Sequence, residues 1–548
     1  MTSPSLEAAI AERWDAAKAH WARSLRLHLP KIDNEDPSLA RLDLRSRQVF
    51  INGERIRNEG LLPSLEAILA HEVGHHARWP RTLAMTARLR LVEQQLIPVE
   101  HFSAINLFTD LLINEHLGRR GLAHELAAVY LAGGANAETA ATFLFTLAVY
   151  EELWQLTPRA LVSTGHEKLA RIYPAYRSEA HLVAQDLFRL GPNIITQFLF
   201  FLSVLSRYWV ADQEGDQHSD HCGCDDEPSN DDWASALDPH AMEDEAVDRA
   251  EKEGWLNRDQ IDRLKDARRL GQRSSGLPGH EGSERVSAIM AAWYRRTAER
   301  YLIEPPPMHQ LGGAIVPTVI REWEPSESVQ RIDWITTLAR RGPRYGAAAP
   351  FVREPARDRD GVSTTLWETR VEIFLDVSGS MADPTEGENA MTLAAMILAT
   401  GTTRAGGWVR AHLYSSEVES RWEWTRSPTV LSEFLMNYVG GGTEFPFEVL
   451  AKSLDESPAQ PLRVIFSDQD FDMNVTDYAP ESSQLLQTAA HAPGTILVLY
   501  SPNREMCRTY ERWGLRVVPV WAEDEFPVVA ANLARALFPV ADGPGAVR

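Results

Sequence analysis

Five short apolar runs in the last third of the chain restrict its fold more than any other feature. They are rich in Val, Ile and Leu, helical stretches separate most of them, and in chain order they read RVEIFLDVSGS, WVRAHLYSSEV, LRVIFSDQD, GTILVLYS and LRVVPVW. Buried strands that alternate with helices are typical of a doubly wound (Rossmann-like), mostly parallel sheet. We therefore predict a C-terminal α/β domain over residues 365–548.

The first part of the chain has a different pattern. A chain of 548 residues is too long for one hydrophobic core. Residues 1–38 predict an amphipathic helix and a loop, and the alternation over 41–57 predicts a strand or hairpin. Helical segments then follow one another to about Tyr208, with Pro and Gly at the breaks. The predicted class is multidomain α+β, with a mostly helical domain over 1–210.

Composition changes abruptly after residue 210. Residues 211–282 begin with a strongly acidic stretch that is poor in large apolar side chains, so we predict an acidic linker or exposed insertion there. We predict a helical connector over 283–364. Four ligands for a soft metal lie close together in the acidic stretch, namely His218, His221, Cys222 and Cys224. Metal modules usually add a second ligand pair at a distance, and the sequence offers none, so we predict no metal site there.

Net charge, cysteine content and hydropathy indicate which kinds of binding partner and which cellular compartment to expect. The net charge of −22 argues against nucleic acid and anionic membranes, because both favour Lys and Arg patches. Three cysteines are too few for a disulfide framework, which fits a reducing cytosol. The N-terminus lacks the apolar core of a signal peptide. The apolar run that begins at Ile194 is interrupted by Arg207 and is shorter than the roughly 20 residues of a membrane span. We expect a buried helix there and a cytoplasmic protein.

An H-E-x-x-H pattern occurs in the N-terminal domain. His71 and His75 are four residues apart in a helix predicted over 62–78, so both imidazoles lie on one face and can bind one Zn²⁺. Glu72 then lies beside the open coordination position and can act as the catalytic base that deprotonates bound water. The ordinary alternative is a solvated helix face that carries two histidines by chance.

A third zinc ligand should come from a later helix. The segment INLFTDLLINEHLGRR offers Asp110, Asn114 and Glu115, and a carboxylate is an ordinary third ligand of zinc. The Asn114-Glu115 pair resembles the ligand helix of thermolysin-like gluzincins, which favours Glu115. The residues themselves leave Asp110 and Glu115 open, as well as a carboxylate that merely complements the helix dipole.

A second set of metal ligands lies in the α/β domain. Asp376, Ser378 and Ser380 form a D-x-S-x-S run just after an apolar strand, Thr443 lies in a Gly-rich loop, and Asp468 follows another strand. Carboxylate and hydroxyl oxygens suit Mg²⁺. Because ligands bind outside the carboxyl ends of strands in open α/β sheets, these residues are expected to meet at one edge. The alternative is that the two serines only cap a helix.

In this order, the five residues resemble the metal-ion-dependent adhesion site of von Willebrand factor A domains. The resemblance covers roughly residues 365–541. It implies a binding module, because the metal in such domains keeps a coordination position open for a carboxylate of a partner. Asp470 and Asp472 depart from the pattern and add negative charge close to Asp468.

The combination of both halves resembles a bacterial family of metallopeptidase/von Willebrand A-like proteins, similar to those encoded beside MoxR-type AAA+ ATPases. In that family the second helix carries a pattern like A-D-L-x-I-N, which maps through FTDLLIN onto Asp110 and Asn114 and favours Asp110 as the third ligand. The resemblance implies a zinc-dependent peptidase with a peptide or protein substrate, Mg²⁺ in the A domain, and a MoxR-type ATPase as partner. The alternative is a non-catalytic adaptor of such an ATPase, with a structural or inactive zincin-like domain.

Overall fold

The computed structural model divides the chain into two compact units. It describes residues 5–22, 24–97, 103–136, 138–214, 226–238, 240–267, 269–279, 283–302, 317–324, 329, 332–341, 349–355, 370–456, 461–491 and 494–537. Unit 1 comprises Met1–Thr297, Met381–Asn389 and Ser432–Tyr438. Unit 2 comprises Ala298–Ser380, Ala390–Leu431 and Val439–Arg548.

Unit 1 begins with one helix and a small sheet. These elements are α1 (Leu6–Ala19), β1 (Lys31–Ile32), β2 (Ala40–Asp43) and β3 (Gln48–Ile51). Strand β3 pairs in parallel with β1 and antiparallel with β2. Val49 and Ile51 are buried on one side of β3, in agreement with the strand or hairpin that the alternating sequence predicts.

Helices make up the rest of unit 1. They are α2 (Gly53–Asn58), α3 (Leu65–Ala77), α4 (Leu83–Leu96), α5 (Ala104–Leu117), α6 (Ala123–Gly133), α7 (Ala141–Leu153), α8 (His166–Ile172), α9 (Tyr176–Asp186), α10 (Ile194–Glu214), α11 (Asn230–Leu237), α12 (Ala241–Glu253), α13 (Arg258–Asp266), α14 (Leu270–Ser274) and α15 (Glu284–Tyr301). Helix α15 continues past the end of unit 1 at Thr297.

Helix α5 contributes to two hydrophobic cores of unit 1. Its Ile113 joins the core that α1, α3 and the small sheet form, whereas its Phe108 joins a second core built with α7 and α10. Helix α3 packs directly against α5, and a Cβ atom placed on Gly74 would lie only 2.8 Å from Ile113 and 2.5 Å from Trp21. The glycine therefore permits a close approach of the two helices that carry the candidate zinc ligands.

Helix α10 contains the most membrane-like stretch. Within the described ranges, Ile194–Asp212 is the one helical stretch long and apolar enough to cross a bilayer. However, 56% of it is buried inside unit 1, where Phe198, Phe201 and Leu205 are fully buried. This burial agrees with the predicted core helix, and the cytoplasmic location stays a prediction.

The predicted acidic linker over 211–282 is wrong for the part of it that the structure describes. Helices α11 to α14 fill this region and belong to unit 1. Trp233 and Leu237 are buried, and the Glu243 carboxylate pairs with Arg88 at 2.9 Å and also with Arg273. The segment is strongly acidic overall, so its few apolar residues were overlooked. They recur at helical spacing, which is sufficient to bury one face of each helix.

The four soft-metal ligands in the acidic stretch, His218, His221, Cys222 and Cys224, lie outside the described residues.

The predicted helical connector over 283–364 is also only partly correct. Besides α15 and α16 (Trp334–Arg341) it contains two antiparallel strands, β4 (Pro317–Glu322) and β5 (Phe351–Pro355). Strand β5 was missed because the Pro- and Gly-rich sequence before it is typical of a loop.

Unit 2 contains a mixed six-stranded sheet with the order β11-β10-β9-β6-β7-β8. Its strands are β6 (Arg370–Asp376), β7 (Trp408–Tyr414), β8 (Val418–Thr425), β9 (Leu462–Ser467), β10 (Thr495–Tyr500) and β11 (Arg516–Val520). All neighbours pair in parallel except β7 and β8. The predicted α/β class of this region is therefore confirmed, and the five apolar runs are the five parallel strands.

Helices separate most of these strands, and all of them belong to unit 2 except the last residues of α18, which belong to unit 1 from Ser432 onward. They are α17 (Ala390–Arg404), α18 (Pro428–Leu435), α19 (Phe447–Asp455), α20 (Phe471–Asp477), α21 (Glu481–His491), α22 (Arg504–Arg512) and α23 (Glu525–Leu537). The strand order reverses at β6, because the chain goes to β7 on one side and later returns to β9 on the other. The carboxyl ends of β6 and β9 thus lie side by side, at the kind of position where open α/β sheets bind ligands.

Candidate metal centres

Three ligand atoms from α3 and α5 converge in unit 1. The Nε2 atoms of His71 and His75 lie 3.3 Å apart. Asp110 Oδ1 lies 3.5 Å from the first nitrogen and 3.3 Å from the second. No other group of three His, Cys, Asp or Glu side chains with metal-ligand spacing occurs in the described ranges.

The dimensions of this triangle suit a tetrahedral metal ion. Zinc–nitrogen bonds of about 2.0–2.1 Å place neighbouring ligand atoms of a tetrahedron about 3.3 Å apart. All three separations lie within a few tenths of an ångström of that value. The donor set of two imidazoles and one carboxylate is also one that zinc commonly takes, so the residues fit the ion.

The imidazole of His71 is oriented by Asn114, one helical turn after Asp110. His71 Nδ1 lies 2.7 Å from Asn114 Oδ1. The amide nitrogen of Asn114 faces away, at 2.7 Å from the hydroxyl of Tyr130 and 2.9 Å from that of Tyr150. The amide oxygen is thus left to accept from His71 Nδ1, which places the lone pair of that imidazole on Nε2.

The imidazole of His75 is oriented by the backbone. Its Nδ1 lies 3.1 Å from the carbonyl oxygen of Trp79, and since a carbonyl can only accept, Nδ1 carries the proton. The lone pair of His75 Nε2 therefore points toward the same place as that of His71. Asp110 Oδ1 is buried and makes no hydrogen bond. A single proton could form a hydrogen bond between only two of the three ligand atoms, whereas one metal cation could be bound by all three.

Electrostatics links the three side chains. Burial raises the pKa of Asp110, but the neighbouring imidazoles of His71 and His75 outweigh it and hold the pKa at about 2. Burial lowers the pKa of His71, yet the Asp110 carboxylate outweighs it and raises the pKa above its ordinary value. The cluster therefore favours a net positive charge at its centre, whether that charge is a proton or a metal ion.

Glu72 is also buried next to this cluster, with 4% of its surface exposed. Burial raises its pKa most, and Asp110 raises it further, whereas both imidazoles lower it. All three ligands are thus within electrostatic range of Glu72. A carboxylate with a raised pKa takes up a proton more readily than an exposed one, which is the property a general base requires.

Glu115, the alternative third ligand, is not part of the triangle. Its carboxylate accepts a hydrogen bond from Arg119 one turn later on the same helix. The sequence indicated Asn114, four residues after Asp110 in the family pattern, but did not indicate its orienting role. The sequence did not indicate Tyr130 or Tyr150, because they lie on α6 and α7 and no sequence motif links these helices to a ligand on α3.

Four of the five predicted magnesium ligands meet at the carboxyl edge of the sheet in unit 2. The Ser380 hydroxyl donates to Asp468 Oδ2 over 2.7 Å and lies 3.0 Å from that of Ser378. The backbone N–H of Ser378 donates to Asp376 Oδ1 over 3.0 Å. The Ser467 hydroxyl donates to the other oxygen of Asp376 over 2.7 Å. Ser467 was not predicted, although its place before Asp468 at a strand end could have indicated it.

The fifth predicted ligand, Thr443, lies in a loop that is bonded to the D-x-S-x-S segment through other residues. The backbone N–H of Gly379 donates to the carbonyl of Gly441 over 2.8 Å, and that of Gly440 donates to Val377 over 3.1 Å. The carbonyl of Thr443 accepts from Asn474. No hydrogen bond joins the Thr443 side chain to the other four within the described residues.

The carboxylates at this edge repel one another. Burial raises the pKa of Asp376 to about 6, and Asp468 adds to the rise. The backbone N–H of Asp470 donates to Asp468 over 2.9 Å, and Asp472 accepts from the Tyr510 hydroxyl over 2.8 Å. Of the two extra aspartates, Asp472 is thus bonded elsewhere and Asp470 contacts Asp468 through its backbone, whereas Asp376 and Asp468 form a buried oxygen-rich pair that suits a hard cation.

The comparison with known proteins adds no family. No protein-family model matches the chain, and no curated protein has a similar sequence.

Proposed function

We propose that unit 1 is a zincin-like, zinc-dependent peptidase in which His71, His75 and Asp110 hold Zn²⁺. The observation that carries this proposal is the triangle of three ligand atoms at 3.3–3.5 Å, in which both imidazoles are turned by a second hydrogen bond. A chance pair of histidines on a solvated helix face would have neither the buried carboxylate nor the two orienting acceptors.

In this proposal Glu72 is the general base. When bound, zinc supplies Lewis acidity, which lowers the pKa of water and polarises a peptide carbonyl. Glu72 takes the proton from the attacking water and returns it to the leaving amine. Asn114 and the Trp79 carbonyl keep the imidazoles turned toward the centre throughout. The surrounding apolar core excludes bulk water, which strengthens each of these electrostatic interactions.

The test is the substitution Glu72→Gln, which keeps the shape of the side chain and removes the base. We expect the variant to retain about one zinc ion per chain and to lose peptide hydrolysis. Glu167→Gln on the exposed face of α8 makes the same change of side chain outside the site, serves as the control and should retain both. Equal cleavage by wild type and Glu72→Gln would contradict the role of Glu72.

We further propose that unit 2 is a von Willebrand A-like, doubly wound domain that binds Mg²⁺ through Asp376, Ser378, Ser380, Thr443 and Asp468. The hydrogen-bonded edge formed by four of these residues supports the proposal. The site would recruit a protein partner through an acidic residue of that partner, and a MoxR-type AAA+ ATPase in the cytoplasm is the partner we propose. Pull-downs from the native host should lose this partner with Asp376→Asn or with EDTA.

A second candidate is an adaptor in which the zinc site is structural. It is favoured by the burial of the centre, because only 3% of the His75 side chain and 13% of the Asp110 side chain are exposed. A structural ion needs no access for substrate, whereas a peptidase does. Zinc bound at one equivalent without hydrolysis of any peptide, even with the ATPase partner present, would assign the protein to this class.

A further inference from the structure

A cavity of about 580 Å³ lies in unit 1 beside the candidate zinc centre. Its walls come from the α3–α4 connection, from α5, and from the segment that leads into α10. A volume of this size falls in the range of pockets that hold small ligands or short segments of a partner. None of the proposed zinc ligands lines it, so it is a separate site.

The cavity concentrates positive charge in a strongly acidic protein. Arg78, Arg81 and Arg119 line it, and Glu115 is the one acidic side chain in its lining. Glu115 is already paired with Arg119. Neither Arg78 nor Arg81 has a carboxylate within 4.0 Å among the residues that the structure describes, and both side chains are exposed. Two guanidinium groups are therefore available to a ligand.

Aromatic rings supply the apolar part of the lining. The Arg78 guanidinium lies 4.5 Å from the ring centre of Trp79, and that of Arg119 lies 5.7 Å from the ring centre of Phe188. An arginine that stacks on an aromatic ring is held in place and still presents its N–H groups. The cavity thus combines fixed cationic donors with rings that can accept an aliphatic side chain.

The cavity is joined to the zinc centre through His75. The backbone N–H of Arg81 donates to the His75 carbonyl over 2.9 Å, and His75 Nδ1 donates to the Trp79 carbonyl over 3.1 Å. Trp79 and Arg81, which both line the cavity, are therefore hydrogen-bonded to a proposed metal ligand. A ligand held against this wall would thus contact residues that are hydrogen-bonded to a proposed metal ligand.

We propose that this cavity binds an acidic peptide segment, with its carboxylates on Arg78 and Arg81 and an adjacent aliphatic side chain against Trp79 and Phe188. Guanidinium groups bind carboxylates in a bidentate manner, which gives both strength and orientation. As a statement of substrate class the proposal rests on the proposed peptidase function, whereas the binding itself does not.

The test is a binding measurement on the Glu72→Gln protein, so that no probe is cleaved. The probe is a fluorescein-labelled peptide of alternating Asp and Leu, compared with the same peptide carrying Asn in place of Asp. Fluorescence anisotropy at low salt should give at least about tenfold tighter binding of the acidic peptide, since charge-assisted pairs contribute more than neutral ones. Equal affinity for both peptides would overturn the proposal.

Substitutions in the cavity lining test whether the acidic peptide binds there. Arg78→Ala combined with Arg81→Ala should weaken binding of the acidic peptide at least about tenfold. Arg258→Ala combined with Arg263→Ala makes the same change of charge on α13, outside the cavity lining, and should change the affinity less than twofold. Glu115→Gln should strengthen binding, because it removes the one carboxylate of the lining. An arginine pair that makes no difference, or a weaker Glu115→Gln variant, would overturn the assignment.

Separate readouts distinguish this proposal from the peptidase proposal. Zinc content and peptide hydrolysis are measured on the protein with native Glu72, with and without the arginine substitutions. Retained binding of the acidic peptide without any hydrolysis would remove only the peptidase assignment. Hydrolysis and zinc content that persist without preference for the acidic peptide would remove only the cavity assignment.

Discussion

His71 is held by Asn114 across 2.7 Å, on the helix that also carries Asp110. The amide of Asn114 is in turn fixed by the hydroxyls of Tyr130 and Tyr150. A ligand that is oriented in this way loses little freedom when the metal binds.

Asn114→Ala should therefore lower the zinc affinity by about 10- to 100-fold, the effect typical of removing a partner that orients a metal ligand. Competition with a chromophoric chelator measures the affinity. Asn106→Ala, on the same helix and outside the site, provides the control for a general effect on α5. Equal affinities of the two variants would show that Asn114 only packs.

Asp110→Asn should cost more zinc affinity than Glu115→Gln, because only Asp110 lies with both imidazoles. Both substitutions preserve side-chain shape and remove one negative charge, so each is the control of the other. We expect Asp110→Asn to lose the ion under dialysis and Glu115→Gln to keep about one equivalent. Metal analysis of the dialysed proteins measures this difference, and the reverse order would make Glu115 the third ligand.

Saturating Mg²⁺ should raise the thermal unfolding midpoint of the wild type, because a ligand that binds only the folded state stabilises it. At a concentration of about 100 Kd the expected gain is about 2.7 kcal/mol. Asp376→Asn should abolish the shift, and so should EDTA. Asp470→Asn should preserve it, since only the backbone N–H of Asp470 is bonded to Asp468. An unchanged shift in Asp376→Asn would place the ion elsewhere.

Glu93 provides a test of pH dependence outside both sites. Burial raises its pKa to about 8, although the backbone N–H of Ala104 donates to it and lowers the pKa. The folded state thus holds a proton that the unfolded state releases near pH 4.5, the ordinary pKa of a glutamate. The contribution of this proton to stability is therefore complete below that value and is lost as the pH rises toward about 8.

Glu93→Gln keeps the neutral form at every pH. We expect its stability to match that of the wild type near pH 4 and to exceed it increasingly toward about pH 8, by at most about 1.4 kcal/mol per pH unit. Denaturant unfolding across this range, with Glu167→Gln on the exposed face of α8 as control, measures the difference. A gap that does not grow with pH would mean that Glu93 is ionised in the folded protein.

The spacing of residues along the sequence predicted those features that depend on the period of a helix or a strand. The spacing of His71 and His75 placed two imidazoles on one face, and the alternation around Val49 indicated a hairpin. In unit 2, the order of Asp376 and Asp468 after apolar strands was sufficient to predict that they meet. In each case a short sequence period determines where the side chains lie.

The features that were not predicted are of two kinds. Some depend on contacts between distant segments, and others lie in segments whose composition is not typical of a helix or a strand. Helix α11 was overlooked because it begins with Asp231 and Asp232 in a strongly acidic stretch, and Trp233 and Leu237 are its only large apolar residues. Strand β8 was overlooked because its residues are exposed or half-buried, so the apolar run that marks a strand is missing. The roles of Tyr130 and Tyr150 follow only from tertiary packing, which no spacing in the sequence encodes.

Gly74, inside the H-E-x-x-H segment, has a consequence for the order of events in metal capture. Since a side chain there would collide with Ile113 of α5 and with Trp21, the close packing of α3 against α5 is set by the folding of the polypeptide rather than by the ion. Zinc would then enter a preorganised cage, and its arrival would require no slow rearrangement of the backbone. The far-UV circular dichroism spectra of the apo and the zinc-loaded protein should accordingly be nearly the same.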